Sequence, residues 1–219
     1  MVDKRITIFS GHYGSGKTNI AVSTAYKLKE QNEKVAVADL DIVNPYFRTK
    51  DSVYDFEKRG IKLICSDYAN SNVDIPALPQ DMYLVTDDKS YKVVVDLGGD
   101  DRGALALGRL TPEILKENNY DMFLVVNCFR PLTTTVQATV EIAREIEFAC
   151  KIKFTGVINN SNLGELTSEE DVIGSLEYAS GVAKALDIPI KFTTVKESLF
   201  SKLKDKIENL YPLQLQKKI

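Results

Sequence analysis

Gly11, Gly16, Lys17 and Thr18 stand in the spacing G-x-x-x-x-G-K-[ST] within the stretch GHYGSGKT. That pattern suits phosphate binding. Glycines let successive backbone N–H groups turn toward one anion, and a helix opening behind them adds the partial positive charge of its N-terminus. Lys17 can then reach the β- and γ-phosphates of a nucleotide, and the Thr18 hydroxyl can ligate Mg²⁺. The segment Gly11–Asn19, with Gly14, Ser15 and Asn19 among its members, is the expected cradle. The plainer reading is a tight strand-to-helix turn of small residues. The position of the motif, after the first strand signal and at the start of the first helical period, favours the cradle.

A magnesium nucleotide site also needs carboxylates at neighbouring strand ends. Asp96 closes YKVVVD and is followed by Leu97, Gly98 and Gly99, a D-x-x-G arrangement. A carboxylate there can hold Mg²⁺ through water, and a glycine N–H can sense the γ-phosphate. In VADLDIVNPYFR, Asp39 and Asp41 end a second strand candidate. Period-two geometry points both toward the crevice at the carboxyl ends of the strands. Asp41 could orient an attacking water while Asp39 supports the metal; turn or helix caps are the blander alternative. Thr18, Asp39, Asp41 and Asp96 form the candidate metal set, and Lys17 and Asp41 the candidate catalytic pair.

These residues need a scaffold that brings strand ends together. Strand-like runs are expected at 5–10, 34–40, 62–65, 92–97, 122–127, 154–158 and 188–192. KVVVDL and MFLVVN are nearly continuous hydrophobics, as in parallel strands buried on both faces. Helical periods lie between them: Ala21, Ala25 and Leu28 share one face, as do Val136, Val140 and Ala143. Thr167 and Glu170 read as a capping box before Val172 and Ile173. Strand–helix alternation over residues 1–219, with no linker or repeat, predicts a single doubly wound α/β domain. The two long connections, Asp41–Thr49 and Ser66–Pro79, are expected to carry function.

Composition narrows the classes of function. The 219 residues include 28 basic and 31 acidic side chains, which argues against a polyanion binder held by bulk charge. No apolar run approaches the ~18 residues of a membrane span. The start MVDKRITIFSG shows no signal-peptide core. Cys65, Cys128 and Cys150 form no C-x-x-C pair, so neither a disulfide framework nor a zinc site is expected, and a reducing cytoplasm fits best.

The N-terminal P-loop, DLD after the second strand and VVVDLGG at the fourth resemble the MinD/ParA/CobQ group of P-loop ATPases, within the class of signal-recognition-type GTPases and nitrogenase-iron-protein-like ATPases. GHYGSGKTNI, DLDIVNPYFR and VINNSNLGELT are similar, more narrowly, to a set of bacterial ATP-binding proteins. The resemblance implies a mostly parallel sheet of seven or eight strands, ATP with Mg²⁺, and often a nucleotide-dependent homodimer. It also implies Asn160 as the first choice for an adenine contact, with Asn159 second. A guanine reader of the N-K-x-D type would carry a carboxylate where this chain has Asn162. One departure is His12, at the P-loop position where MinD- and ParA-like chains carry a signature lysine that reaches the partner subunit's phosphates. An imidazole is shorter and mostly neutral at pH 7, so an ordinary loop role is expected for it.

The expected function is a cytoplasmic Mg²⁺–ATPase switch. The rivals are an enzyme that phosphorylates a small carboxylate, resembling dethiobiotin synthetase or the cobyrinate amidases, and an ATP-binding module with negligible hydrolysis. The expected partners are a second copy of the chain and an unidentified protein or small acidic substrate. Arg48 and Arg102 are candidate contacts for an anionic substrate or partner. Near the C-terminus, Phe200, Leu203, Ile207 and Leu210 fit one helical face with lysines around it. Such a helix can seek a membrane or dock on the sheet, and the acids Asp205 and Glu208 favour docking.

Overall fold

The computed structural model describes residues 3–41, 53–65, 80–99 and 101–213, with the side chains of 101 and 102 excepted. Arg48 and most of both long connections lie outside the described residues, as does the side chain of Arg102.

Eight strands form one sheet: β1 Ile6–Ser10, β2 Val35–Leu40, β3 Ile61–Cys65, β4 Lys92–Leu97, β5 Tyr120–Val126, β6 Gly156–Asn159, β7 Ile190–Lys196 and β8 Leu210–Leu213. Their order is β3-β2-β4-β1-β5-β6-β7-β8, and every neighbouring pair is parallel. The helices are α1 Lys17–Gln31, α2 Val53–Arg59, α3 Leu84–Asp87, α4 Asp101–Gly108, α5 Thr111–Glu117, α6 Val136–Cys150, α7 Glu169–Leu186 and α8 Glu197–Leu203.

Parallel strands need crossover connections, which lay helices on both faces and bury both sets of side chains. β1 and β2 are accordingly buried at every position. Ile6, Ile8, Val93, Val95, Leu124 and Val126 face a core with residues of α4 to α7. Phe9, Val35, Val37, Val94, Phe123 and Val125 face the opposite one, with Ile20, Ala21, Ala25 and Leu28 of α1 and Phe56 of α2.

Two local expectations are corrected. The capping box of α7 uses Ser168 and Asp171, one residue beyond Thr167 and Glu170: the Ser168 hydroxyl accepts from the Asp171 N–H at 3.2 Å, and Asp171 accepts from the Ser168 N–H at 2.8 Å. The C-terminal segment is not one long amphipathic helix. α8 stops at Leu203, and after a turn the chain re-enters the sheet as the edge strand β8. The apolar set still docks, because Leu199, Leu203 and Ile207 pack with Val172 and Val195 while Phe200 and Leu210 flank them. Pro212 is tolerated in β8 because an edge strand has one side with no ladder to donate to. Among the described residues no helix is long and apolar enough to cross a membrane.

Candidate functional site

β1, β2, β4, β5 and β6 all deliver their carboxyl ends to one edge of the sheet, and the candidate site residues of the glycine loop and of β2, β4 and β6 lie there. β1 runs straight into the glycine loop. Gly14 and Gly16 take positive φ of 76° and 88°, where side chains are strained, and the Gly16 conformation starts α1. Lys17 and Thr18 occupy its first turn and are buried, with 4% and 6% exposure. Asn19 is half-buried beside them.

Sheet register brings in the carboxylates. Asp96 stands opposite Phe9 of β1 on one side and opposite Asp39 of β2 on the other. The Thr18 hydroxyl donates to Asp96 Oδ2 at 2.7 Å, while Asp96 Oδ1, fully buried, has no hydrogen-bond partner. Lys17 Nζ lies 2.9 Å from Asp41 Oδ2 in a buried ion pair. The Asp41 N–H donates to Asp39 Oδ1 at 3.0 Å, which holds the turn after β2. Burial pushes the Asp96 carboxyl up to about 7; the Lys17 ammonium opposes this, and Asp39 and Asp41 add to it. The two oxygens of Asp96 thus differ: one is anchored, and one is buried without a partner.

The buried polar atoms without partners concentrate in the same place. Of the four among the described residues, Ser10 Oγ, Ser15 Oγ and Asp96 Oδ1 lie at this edge, and Thr7 Oγ1 sits deeper in β1. Buried polar groups are nearly always paired, so such a cluster suits ordered water, an ion or a polar ligand at this edge. No three His, Cys, Asp or Glu side chains come together as a ready-made metal cage among the described residues. Mg²⁺ needs none, since it takes one or two carboxylates and completes its shell with water and phosphate oxygens. A lone threonine hydroxyl and a carboxylate with an unpartnered oxygen suit that ion.

Glycines let the loops touch backbone to backbone. A Cβ on Gly99 would meet Gly11 O at 2.3 Å, and one on Gly103 would meet Leu40 O at 2.5 Å. The Gly98 N–H donates to Leu40 O at 3.4 Å, so the loop after β4 continues the ladder to the last residue of β2.

The two asparagines at the end of β6, Asn159 within the strand and Asn160 just beyond it, diverge. Asn160 reaches the cradle: its Nδ2 donates to Ser15 O at 2.6 Å, and its Oδ1 accepts from the Thr194 hydroxyl. A Cβ on Gly16 would meet Asn160 Nδ2 at 2.2 Å, so this glycine is also required by close approach. Asn159 points to the other face, where its Nδ2 donates to Ser175 Oγ at 2.9 Å and its Oδ1 accepts from Ser161 N. Asn162 is used inside its own turn, donating to Asn160 O and accepting from Gly164 N. His12 is half-buried; burial and then Lys17 lower its pKa, which keeps the imidazole neutral near pH 7.

One residue at this edge had no sequence signal. Arg130, in the loop after β5, donates its Nε–H to Gly14 O at 2.8 Å. A lone arginine before a proline reads as a solvated charge, and only the chain reversal after β5 brings it to the glycine loop.

Solved structures share this fold. The cell division protein FtsY of Thermotoga maritima aligns with a TM-score of 0.62 at 20% identity, covering 95% of this chain and 65% of its own. Chloroplast FtsY of Physcomitrella patens aligns with a TM-score of 0.60 at 19% identity, covering 88% and 58% respectively. The 54 kDa signal recognition particle protein of Aeropyrum pernix K1, solved in complex with GDP, gives 0.52 at 16% identity, covering 86% and 40%. The chain spans less than two thirds of the length of each of these structures. No curated protein matches it at the level of sequence. The family model for the CobQ/CobB/MinD/ParA nucleotide-binding domain matches residues 6–186, which include the glycine loop, the three strand-end carboxylates Asp39, Asp41 and Asp96, and the asparagine that holds the loop. With that match and an eight-stranded parallel sheet, the chain belongs to the CobQ/CobB/MinD/ParA family of nucleotide-binding P-loop domains.

Proposed function

We propose that this domain binds ATP with Mg²⁺ and hydrolyses it as a nucleotide-controlled switch. The observation that carries the reading is the convergence of Lys17, Thr18 and Asp96, with Asp96 Oδ1 buried and unpartnered beside the glycine loop. Thr18 and Asp96 would hold the metal, with Asp39 next to them in register. Bound Mg²⁺ would neutralise charge on the β- and γ-phosphates.

Lys17 now rests on Asp41. A γ-phosphate competes for that ammonium, and the carboxylate it frees can accept a hydrogen bond from water. Asp41 then orients the water whose oxygen bonds to the γ-phosphorus. The bridging P–O bond breaks with its electron pair passing to the β-phosphate, and the water's proton leaves with the released phosphate. Cycling of this kind would reposition the loops after β2 and β4. Adenine is favoured over guanine because residues 160–164 carry no carboxylate to accept from a guanine ring N–H and amine.

The test is calorimetric titration of wild type and Lys17→Ala with ATP and GTP, with and without Mg²⁺. ATP should bind the wild type more tightly than GTP, and Lys17→Ala should weaken binding by about 100-fold or more, as a buried phosphate charge loses its partner. Unchanged affinity in the variant removes the site assignment; equal affinity for GTP removes the adenine preference. Single-turnover hydrolysis at saturating Mg²⁺ separates the roles: Asp41→Asn should keep ATP binding and lose most turnover.

A further inference from the structure

Two consecutive carbonyls of the glycine loop are held from outside by side chains of two different strand ends. Gly14 O accepts from Arg130 Nε at 2.8 Å, and Ser15 O accepts from Asn160 Nδ2 at 2.6 Å. A peptide plane carries its carbonyl and the next N–H on opposite sides. Pulling Ser15 O outward therefore turns the Gly16 N–H inward, toward the place where an anion would sit. Asn160 holds its peptide as a neutral group; Arg130 holds the Gly14 carbonyl with a charge, and the N–H of that same peptide, on Ser15, donates to His12 O at 3.1 Å and so closes the loop on itself.

The loop that carries Arg130 is built to hold it still. Asn127 O accepts from the Arg130 N–H at 3.2 Å and from the Thr133 hydroxyl at 2.8 Å. Asn127 Oδ1 accepts from Phe129 N and Asn162 N, and Cys128 N donates to Ser161 Oγ, so the loop after β5 is tied to the loop after β6. Arg130 is half-buried, lies against Gly14 where a Cβ would come within 3.3 Å of its Nε, and has no carboxylate partner among the described residues. Of the five N–H donors of a guanidinium, one is used by Gly14, and the others meet no acceptor among those residues. Arginine side chains in rigid, partly buried settings normally find a carboxylate. This one has a phosphate-loop carbonyl instead, and among the described residues no carboxylate pairs with its charge.

We propose that Arg130 is a positioning residue of the phosphate loop that supplies, from the same chain, a second positive charge to a bound nucleoside triphosphate. This rests on the nucleotide-binding reading above. Nε fixes the Gly14 peptide, the rest of the guanidinium adds positive potential beside the glycine loop, and the effect grows with the charge of the ligand.

The test compares wild type, Arg130→Gln and Arg130→Lys in titrations with ATP and with ADP, alongside thermal unfolding of each nucleotide-free protein. Arg130→Gln should weaken ATP by about 10-fold or more. Its effect on ADP should be smaller, and its unfolding midpoint should stay close to that of wild type. Arg130→Lys, which keeps the charge but not the planar fork, should recover part of the ATP affinity. ATP binding by Arg130→Gln within about twofold of wild type overturns the proposal. So does an equal loss for ATP and ADP with no recovery in Arg130→Lys, which would make Arg130 a neutral strap. A wild-type chain that binds neither nucleotide overturns the reading underneath, and this proposal with it.

Discussion

Asp96 and Glu147 are both buried carboxylates, and the protein treats them in opposite ways. Glu147, near the end of α6, accepts from Phe154 N at 3.0 Å, from Lys153 Nζ at 2.7 Å and from Arg144 Nη1 at 3.0 Å. Burial alone would raise its pKa, but these partners outweigh it and hold the carboxyl below its ordinary value. Asp96 has one hydroxyl on one oxygen and nothing on the other, and burial wins. The first carboxylate closes a corner between α6 and β6. The second is left short of a partner at the sheet edge, where a bound cation would supply one. The two buried acids are thus told apart by their oxygens: those of Glu147 are filled, and one of Asp96 is open to the cation proposed above.

The largest expected effect that would break this contrast comes from Glu147→Ala. It should cost about 2 to 3 kcal/mol of stability, chiefly by orphaning the Phe154 N–H, and leave nucleotide affinity unchanged. Denaturant unfolding and nucleotide titration of one sample check both halves, and lost affinity would mean that the corner is part of the site. Asp96→Asn should do the reverse. The nucleotide-free protein should gain about 1 kcal/mol at pH 8 and lose the Mg²⁺-dependent part of its ATP binding.

The pH profiles should also diverge. Glu147, with a lowered folded pKa, contributes stability that is fully present above its ordinary 4.5 and is lost as pH falls below it through the folded value. Asp96, raised from 3.8 to about 7, favours the folded state when protonated. Its contribution is therefore present below 3.8, declines as pH rises toward 7 and is gone above that. Melting temperatures of nucleotide-free wild type and Asp96→Asn, followed from pH 5 to 8, should separate in favour of the variant as pH rises. Parallel curves would remove Asp96 as the titrating group. The smallest effect is that of Lys153→Met: its side chain is 73% exposed, so screening limits the loss to under about 0.5 kcal/mol. A larger loss would shift the anchoring of Glu147 from the backbone N–H to the surface cation.

Much of the fold was legible because buried parallel strands leave continuous apolar runs, as in KVVVDL and MFLVVN. β8 was not, because LYPL is short, holds a proline and continues a lysine-flanked pattern that suits a helix. The capping box slipped by one residue because Thr167 and Ser168 are both capping types with an acid three residues on. At the site, Lys17, Thr18, Asp39, Asp41 and Asp96 were readable from motif spacing, and the structure brings them together. Asn159 and Asn160 are chemically identical neighbours, and only the alternation of a strand end separates the one on Ser175 from the one on the glycine loop. Arg130 had no pattern to belong to, since its partner Gly14 lies 116 positions away in sequence.

The backbone contacts of Gly99 with Gly11 O and of Gly103 with Leu40 O have a mechanical consequence. Where two main chains touch with no side chain between them, neither can shift without displacing the other, and no rotamer is available to absorb the motion. Under the switch proposed above, the ends of β1, β2 and β4 would move as one linkage, with a displacement of the first passed on to the other two. A signal carried in this way is blind to most side-chain substitution. A library of variants selected for binding without response should therefore concentrate at Gly99 and Gly103, where a single methyl group would pry the linkage open.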